Sequence, residues 1–78
     1  MKFYTNVIVT FSDGAPDKVG MYTQPTADAA IKAFYYHMWQ YVDADNVATV
    51  FAEAVNNVGG VYKHESWVKT VEQEVYSE

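Results

Sequence analysis

Two stretches of alternating residues, one stretch of helical period and two more alternating stretches follow one another in this chain, and that order limits the fold more than any other feature. From Lys2 to Phe11, Phe3, Thr5, Val7, Val9 and Phe11 share one side, and Tyr4, Asn6, Ile8 and Thr10 share the other. A period of two, rich in β-branched and aromatic residues, predicts a strand. Ser12-Asp13-Gly14-Ala15-Pro16-Asp17 is turn chemistry. Asp and Gly permit unusual backbone angles there, and Pro cannot donate to a ladder. Lys18 to Thr23 alternates again, with Val19, Met21 and Thr23 opposite Lys18, Gly20 and Tyr22. A loop of about five residues joins the two strands as a hairpin.

Gln24-Pro25-Thr26 ends the hairpin. Thr26 suits an N-cap, and Asp28 suits the positive end of a helix dipole. Ala27 to about Val42 has helical period. Ala27, Ala30, Ile31, Phe34, Met38, Tyr41 and Val42 form one apolar stripe, with Asp28, Lys32, Tyr36, Gln40 and Asp43 away from it. Asp43-Ala44-Asp45-Asn46 closes the helix. Val47 to Val55 fits two readings. Val47, Val50, Phe51, Ala54 and Val55 make a helical stripe. As a strand, Ala48, Val50, Ala52 and Ala54 oppose Val47, Thr49, Phe51, Glu53 and Val55. The shortness of the segment and the turn signal Asn56-Asn57-Val58-Gly59-Gly60 favour the strand, whose small side would let a helix approach closely. Val61 to about Val68 is the return strand. The charged end, 69–78, is expected to be strand extension, short helix or loose tail. No internal repeat, low-complexity run or linker divides the chain, so 1–78 is read as one domain.

The predicted fold class is α+β: ββαββ, a four-stranded antiparallel sheet of order 2-1-3-4 with one helix on one face. A right-handed crossover through the helix allows the third strand to pair beside the first. An antiparallel sheet tolerates cover on one face only. The expected core joins Phe3, Val7, Val9 and Phe11 to Ile31, Phe34 and Met38.

Seventy-eight residues make a thin core, because a chain this short buries only ~60% of the surface its unfolded form exposes. Small domains often compensate with disulfides, a metal or a partner chain. With no cysteine present, disulfides, thiolate zinc sites and cysteine nucleophiles are all excluded. Good packing or oligomerisation remains. Aromatic residues are 17% of the chain, and Tyr and Trp favour half-wet surfaces such as interfaces.

Ten acidic residues stand against five lysines, for a net charge of −5. The lysines are the only strong cations, since the chain has no arginine. That balance repels phosphate backbones and anionic lipid, and removes the usual bidentate reader of guanine and phosphate. Neither nucleic acid nor membrane is therefore an expected partner. Met1-Lys2-Phe3-Tyr4-Thr5-Asn6 contains no long apolar run, so the expectation is no signal peptide and no span, with the cytoplasm as compartment.

Motifs that could carry chemistry fall short one by one. His37 and His64 are the only imidazoles, and a zinc site needs three or four ligands at set spacing. Asp43-Ala44-Asp45-Asn46 opens like a calcium loop. Its sixth and twelfth positions, which need glycine and glutamate, hold Ala48 and Ala54. Gly59-Gly60 lacks the lysine and hydroxyl residue of a phosphate loop and sits between strands. Ser12, Ser66 and Ser77 lack a glycine-flanked elbow. Glu72 and Glu74 lie in a polar terminus, where solvated carboxylates behave ordinarily. The expectation is no enzyme, no cofactor and no metal.

Tyr35-Tyr36-His37-Met38-Trp39-Gln40-Tyr41 is the most unusual run. It wraps nearly two helical turns, so large rings point to every side. Either Tyr35 and Trp39 widen the buried stripe, or Tyr36 or Trp39 meets another chain.

The opening Met1-Lys2-Phe3-Tyr4, the Val7-Ile8-Val9-Thr10 strand, the alanine-rich helix with Phe34 and His37, the Asn46-Val47 strand entry and the Asn57-Val58-Gly59-Gly60-Val61-Tyr62 hairpin stand together in this chain. Across most of residues 1–67 it resembles small uncharacterised proteins of gut Firmicutes and of their phages or mobile elements. The resemblance implies no activity and no site residues. The first forty residues are also similar to the strand-strand-helix opening of HicB-like antitoxins.

The leading functional expectation is a non-enzymatic protein–protein interaction module, a homodimer or other homo-oligomer, with an unidentified protein as a further partner. The candidate interface residues are Tyr4, Ile8 and Tyr22 on the uncovered sheet face, with Phe51 a further candidate there, and Tyr36 and Trp39 on the helix. Two other expectations stand beside it. One is an acidic inhibitor that presents carboxylates to a nucleic-acid-processing enzyme. The other is a small-molecule binder in the crevice between helix and sheet.

Overall fold

In the computed structural model, which describes residues 1–69, the chain runs β1 (Phe3–Phe11), β2 (Lys18–Gln24), α1 (Ala27–Val42), β3 (Val47–Asn56) and β4 (Val61–Val68). The sheet order is β2-β1-β3-β4, and every neighbouring pair is antiparallel. This is the expected ββαββ arrangement. The segment 47–55 is strand, as its length and following turn favoured. The expectations for 70–78 lie outside the described residues.

Local chemistry sets the ends of the elements. The Thr26 hydroxyl accepts from the Ala29 amide at 3.0 Å, capping α1, and Asp28 lies in the first turn. Asp43 closes the helix, its amide donating to the Tyr41 carbonyl. Gly59 turns between β3 and β4 with φ 91°, a backbone region nearly closed to residues with a Cβ. The Asn56 side-chain oxygen accepts from the amides of Val58 and Gly60, bracing that turn from inside.

The helix lies chiefly over β3 and β1, the two central strands. Beneath it Val7, Val9, Val50, Ala52 and Ala54 are buried with Ala30, Phe34 and Val47. Phe3, Phe11, Ile31 and Met38 pack against that cluster from its margins, joined by Trp67 of β4. Thr5 is fully buried within this apolar layer. Its hydroxyl donates to the Ala30 carbonyl at 2.9 Å, so the polar group is satisfied at the helix–sheet seam, as burial requires. Two irregularities shift the pairing register. One lies between Thr10 and Phe11 on β1, where Phe11 meets Val47. The other lets β4 bypass Tyr62 opposite Ala54 and Val55.

Candidate interaction surface

Antiparallel pairing lines up one residue from each strand, and residues so aligned share a face. The register therefore decides what each face carries. Val19 of β2 aligns with Ile8, Ile8 with Phe51, and Phe51 with Ser66. Two rows along, Thr23, Tyr4, Val55 and Val61 align. Between these rows lies a polar one: Met21, Asn6, Glu53 and His64. Thr10, Thr49 and Val68 form a fourth row, with the two threonine hydroxyls hydrogen-bonded to each other. These residues lie on the face away from the helix, and His64, on edge strand β4, also borders the crevice between that strand and the helix.

Val19 and Met21 are 71% and 72% exposed, and Val68 is 67% exposed. Ile8 is 39% exposed in the middle of the sheet, where a neighbour on each side should have hidden it. Within the paired registers, Glu53 is the one formally charged residue on this face. Its Oε2 accepts from Asn6 Nδ2 at 2.8 Å. Asn6 Oδ1 is buried and has no hydrogen-bond partner among the described residues.

Tyr4, Ile8 and Phe51 stand where the alternation placed them. Tyr22 does not. It pairs with Thr5, which is buried under the helix, so Tyr22 faces the helix side. There its ring stacks on His37 with centroids 4.7 Å apart and planes 14° from parallel. Alternation says which residues of a strand share a side. It does not say which side meets which across a hairpin, and one residue more or less in the turn inverts the match. Val19 and Met21, the other set of that strand, occupy the open face instead.

Tyr36 and Trp39 are 63% and 69% exposed on the helix. Trp39 does not widen the buried stripe, and Tyr35 is itself exposed. These rings sit on the opposite side of the molecule from the open sheet face, so the candidate interface residues do not form one patch. Tyr35, Met38, Trp39 and Val42 line an apolar hollow of about 170 Å³. A neighbouring crevice of about 470 Å³ lies between the helix and β4, lined by Phe34, Tyr35, Met38, Lys63, His64 and Glu65. The Lys63 ammonium stands 5.8 Å from the Tyr35 ring centroid.

His37 Nδ1 is buried without a partner among the described residues, between the rings of Tyr22 and Tyr36. No group of three or more His, Cys, Asp or Glu among the described residues is placed to hold a metal ion. No helix among them is long and apolar enough to cross a membrane. Asp13 is held below the ordinary aspartate value, first by the Ala15 amide and then by the Asn46 side chain, both donating to its carboxylate. It belongs to the β1–β2 turn and lines neither of these two hollows.

Comparison with protein-family models, with curated proteins and with solved structures finds no match to this chain.

Proposed function

We propose that this chain is a non-enzymatic interaction module that acts as a homodimer, with the open sheet face of each copy packed on that of the other. The observation that carries the reading is the composition of that face. Large apolar side chains, Val19, Ile8, Phe51, Tyr4, Val55 and Val61, flank its one polar row, and it bears a single formal charge within its paired registers. A chain of net charge −5 repels its own copy, and a face almost free of charge is where two copies approach with least repulsion.

Area supports the same occupant. Four strands at about 4.8 Å spacing and about 3.3 Å rise offer a face of roughly 20 by 25 Å. Counted on both copies, that is on the order of 1,000 Å², the size at which specific interfaces begin. Sheet-on-sheet packing at about 10 Å is a common way to close such faces, and two-fold dimers are the commonest oligomers. The helices would lie outside, with Tyr36 and Trp39 left clear of the contact.

Sedimentation at tens of micromolar tests this. The parent should be larger than 8.8 kDa. Ile8→Glu should be smaller and still folded by circular dichroism, because the charge enters the shared patch and not the helix-side core. Met21→Glu, at a more exposed position, should do the same and guards against a folding defect in the first variant. A monomeric parent at that concentration removes the reading.

A further inference from the structure

The polar row in the middle of the open face is at odds with the apolar rows around it. Asn6 and Glu53 sit on β1 and β3, the two central strands, at a point that a second copy would cover completely. A buried polar pair inside an apolar contact weakens it unless both members find partners, and where they do it selects one register among many. Asn6 has two amide hydrogens, and one goes to Oε2 of its own Glu53. The other hydrogen and the second carboxylate oxygen are the groups a second copy can engage.

We propose, resting on the homodimer reading above, that the two-fold axis runs parallel to the strands between β1 and β3, so that Asn6 of each protomer lies over Glu53 of its partner. The four side chains then form a closed square, with each carboxylate accepting from one asparagine of its own chain and one of the other. This axis pairs the free Asn6 amide hydrogen with the free Glu53 carboxylate oxygen by symmetry and leaves Asn6 Oδ1 without a donor. A two-fold perpendicular to the strands through the same row sets Glu53 against its own copy, and two facing carboxylates in a desolvated contact repel. An axis moved toward either edge leaves part of the apolar face uncovered. The Asn6–Glu53 pair is thus the registration element of the interface, and the apolar rows supply its area.

The axis makes a distance prediction. Val19 and Ser66 stand at opposite ends of one row, so Val19 of one copy lies over Ser66 of the other. Two Ser66 residues stand roughly 17 Å apart, three strand spacings across and one sheet gap deep. The chain has no cysteine of its own, so introduced thiols are unique. Val19→Cys and Ser66→Cys proteins are mixed and treated with a bis-maleimide spanning about 8 Å, shorter than the sheet gap of about 10 Å because side chains extend into it. The mixture should cross-link at least about fivefold more than either protein alone, a margin that follows from the separation of the two pairs. Equal cross-linking of Ser66→Cys alone, or none in the mixture while sedimentation still reports a dimer, overturns the axis and leaves the homodimer reading standing. A monomer by sedimentation overturns both.

Registration is tested separately. Asn6→Asp sets carboxylate over carboxylate and should weaken association about tenfold or more, the effect of like charges sharing a site. Adding Glu53→Gln to it restores an amide–carboxylate square with the members exchanged, and should recover both the affinity and the Val19–Ser66 cross-link. A double variant as weak as Asn6→Asp, though folded, refutes the square.

Discussion

The two faces of this sheet are built from the same strands, yet they reverse the usual assignment of residue size. On β3 the face under the helix carries Ala52 and Ala54, both fully buried, while the open face carries Phe51 and Val55. On β1, Val7 and Val9 are hidden and Ile8, between them, is 39% exposed. The small residues lie where a helix must come close to the backbone. The large ones lie where nothing in the described chain covers them. Close packing explains the first choice, since a helix and a sheet can interlock only where one surface is low. The second is not explained within one chain, since exposed apolar area brings no stability to a monomer, and it is the observation on which the proposed contact surface rests.

The contrast can be broken most directly at two phenylalanines, one packed against each face. Phe34→Ala, on α1 where the helix meets the covered face, should cost about 3–5 kcal/mol through lost transfer energy and a residual cavity. In a domain whose whole stability is on the order of 5 kcal/mol, that nearly unfolds the protein. Phe51→Ala, measured in the Ile8→Glu background to keep the chain monomeric, should cost about half as much, because one side of the ring already faces water. Thermal or urea unfolding compares them. Equal losses would mean that the faces are not different in kind.

A second substitution sharpens the argument about size. Ala52→Leu adds volume under the helix where Ala52 has no exposed surface, and should destabilise by about 1–3 kcal/mol. Urea midpoints read the effect, and an unchanged midpoint would show that the seam has room the close approach denies.

The smallest effect concerns the β1–β2 turn. Asp13 is held below its ordinary value by donors from Ala15 and Asn46. A depressed carboxylate contributes stability that is present above the ordinary aspartate value and is lost as pH falls through the lower, folded one. Asp13 is exposed, so the contribution is small. A carboxyl NMR titration should place its midpoint below the ordinary aspartate value, and a midpoint at or above that would remove the turn's anchoring role.

Much of this was legible before any tertiary contact was known. Thr26 announced a helix start because few other residues can satisfy a free amide there. Asn56 to Gly60 announced a hairpin because glycine readily takes the left-handed angles tight turns use, as Gly59 does. The identity of the candidate surface was legible only in part. Tyr4 and Ile8 could be placed from the alternation of their own strand. Tyr22 could not, because its side depends on how many residues the turn uses. Glu53 drew no notice, since a single carboxylate on a strand has no motif. It became notable only when the register set it beside Asn6, with Asn6 Oδ1 left unpartnered.

By itself, then, the order of periods determined the number, type and sequence of elements, because side-chain periodicity and turn chemistry act over a few neighbouring residues. The tertiary structure alone decided which side of β2 meets the helix, which rows cross the open face, and that Asn6 and Glu53 share one row. Those depend on strand register, and register is set by pairing between residues such as Asn6 and Glu53, or Val9 and Val50, that lie far apart in the chain.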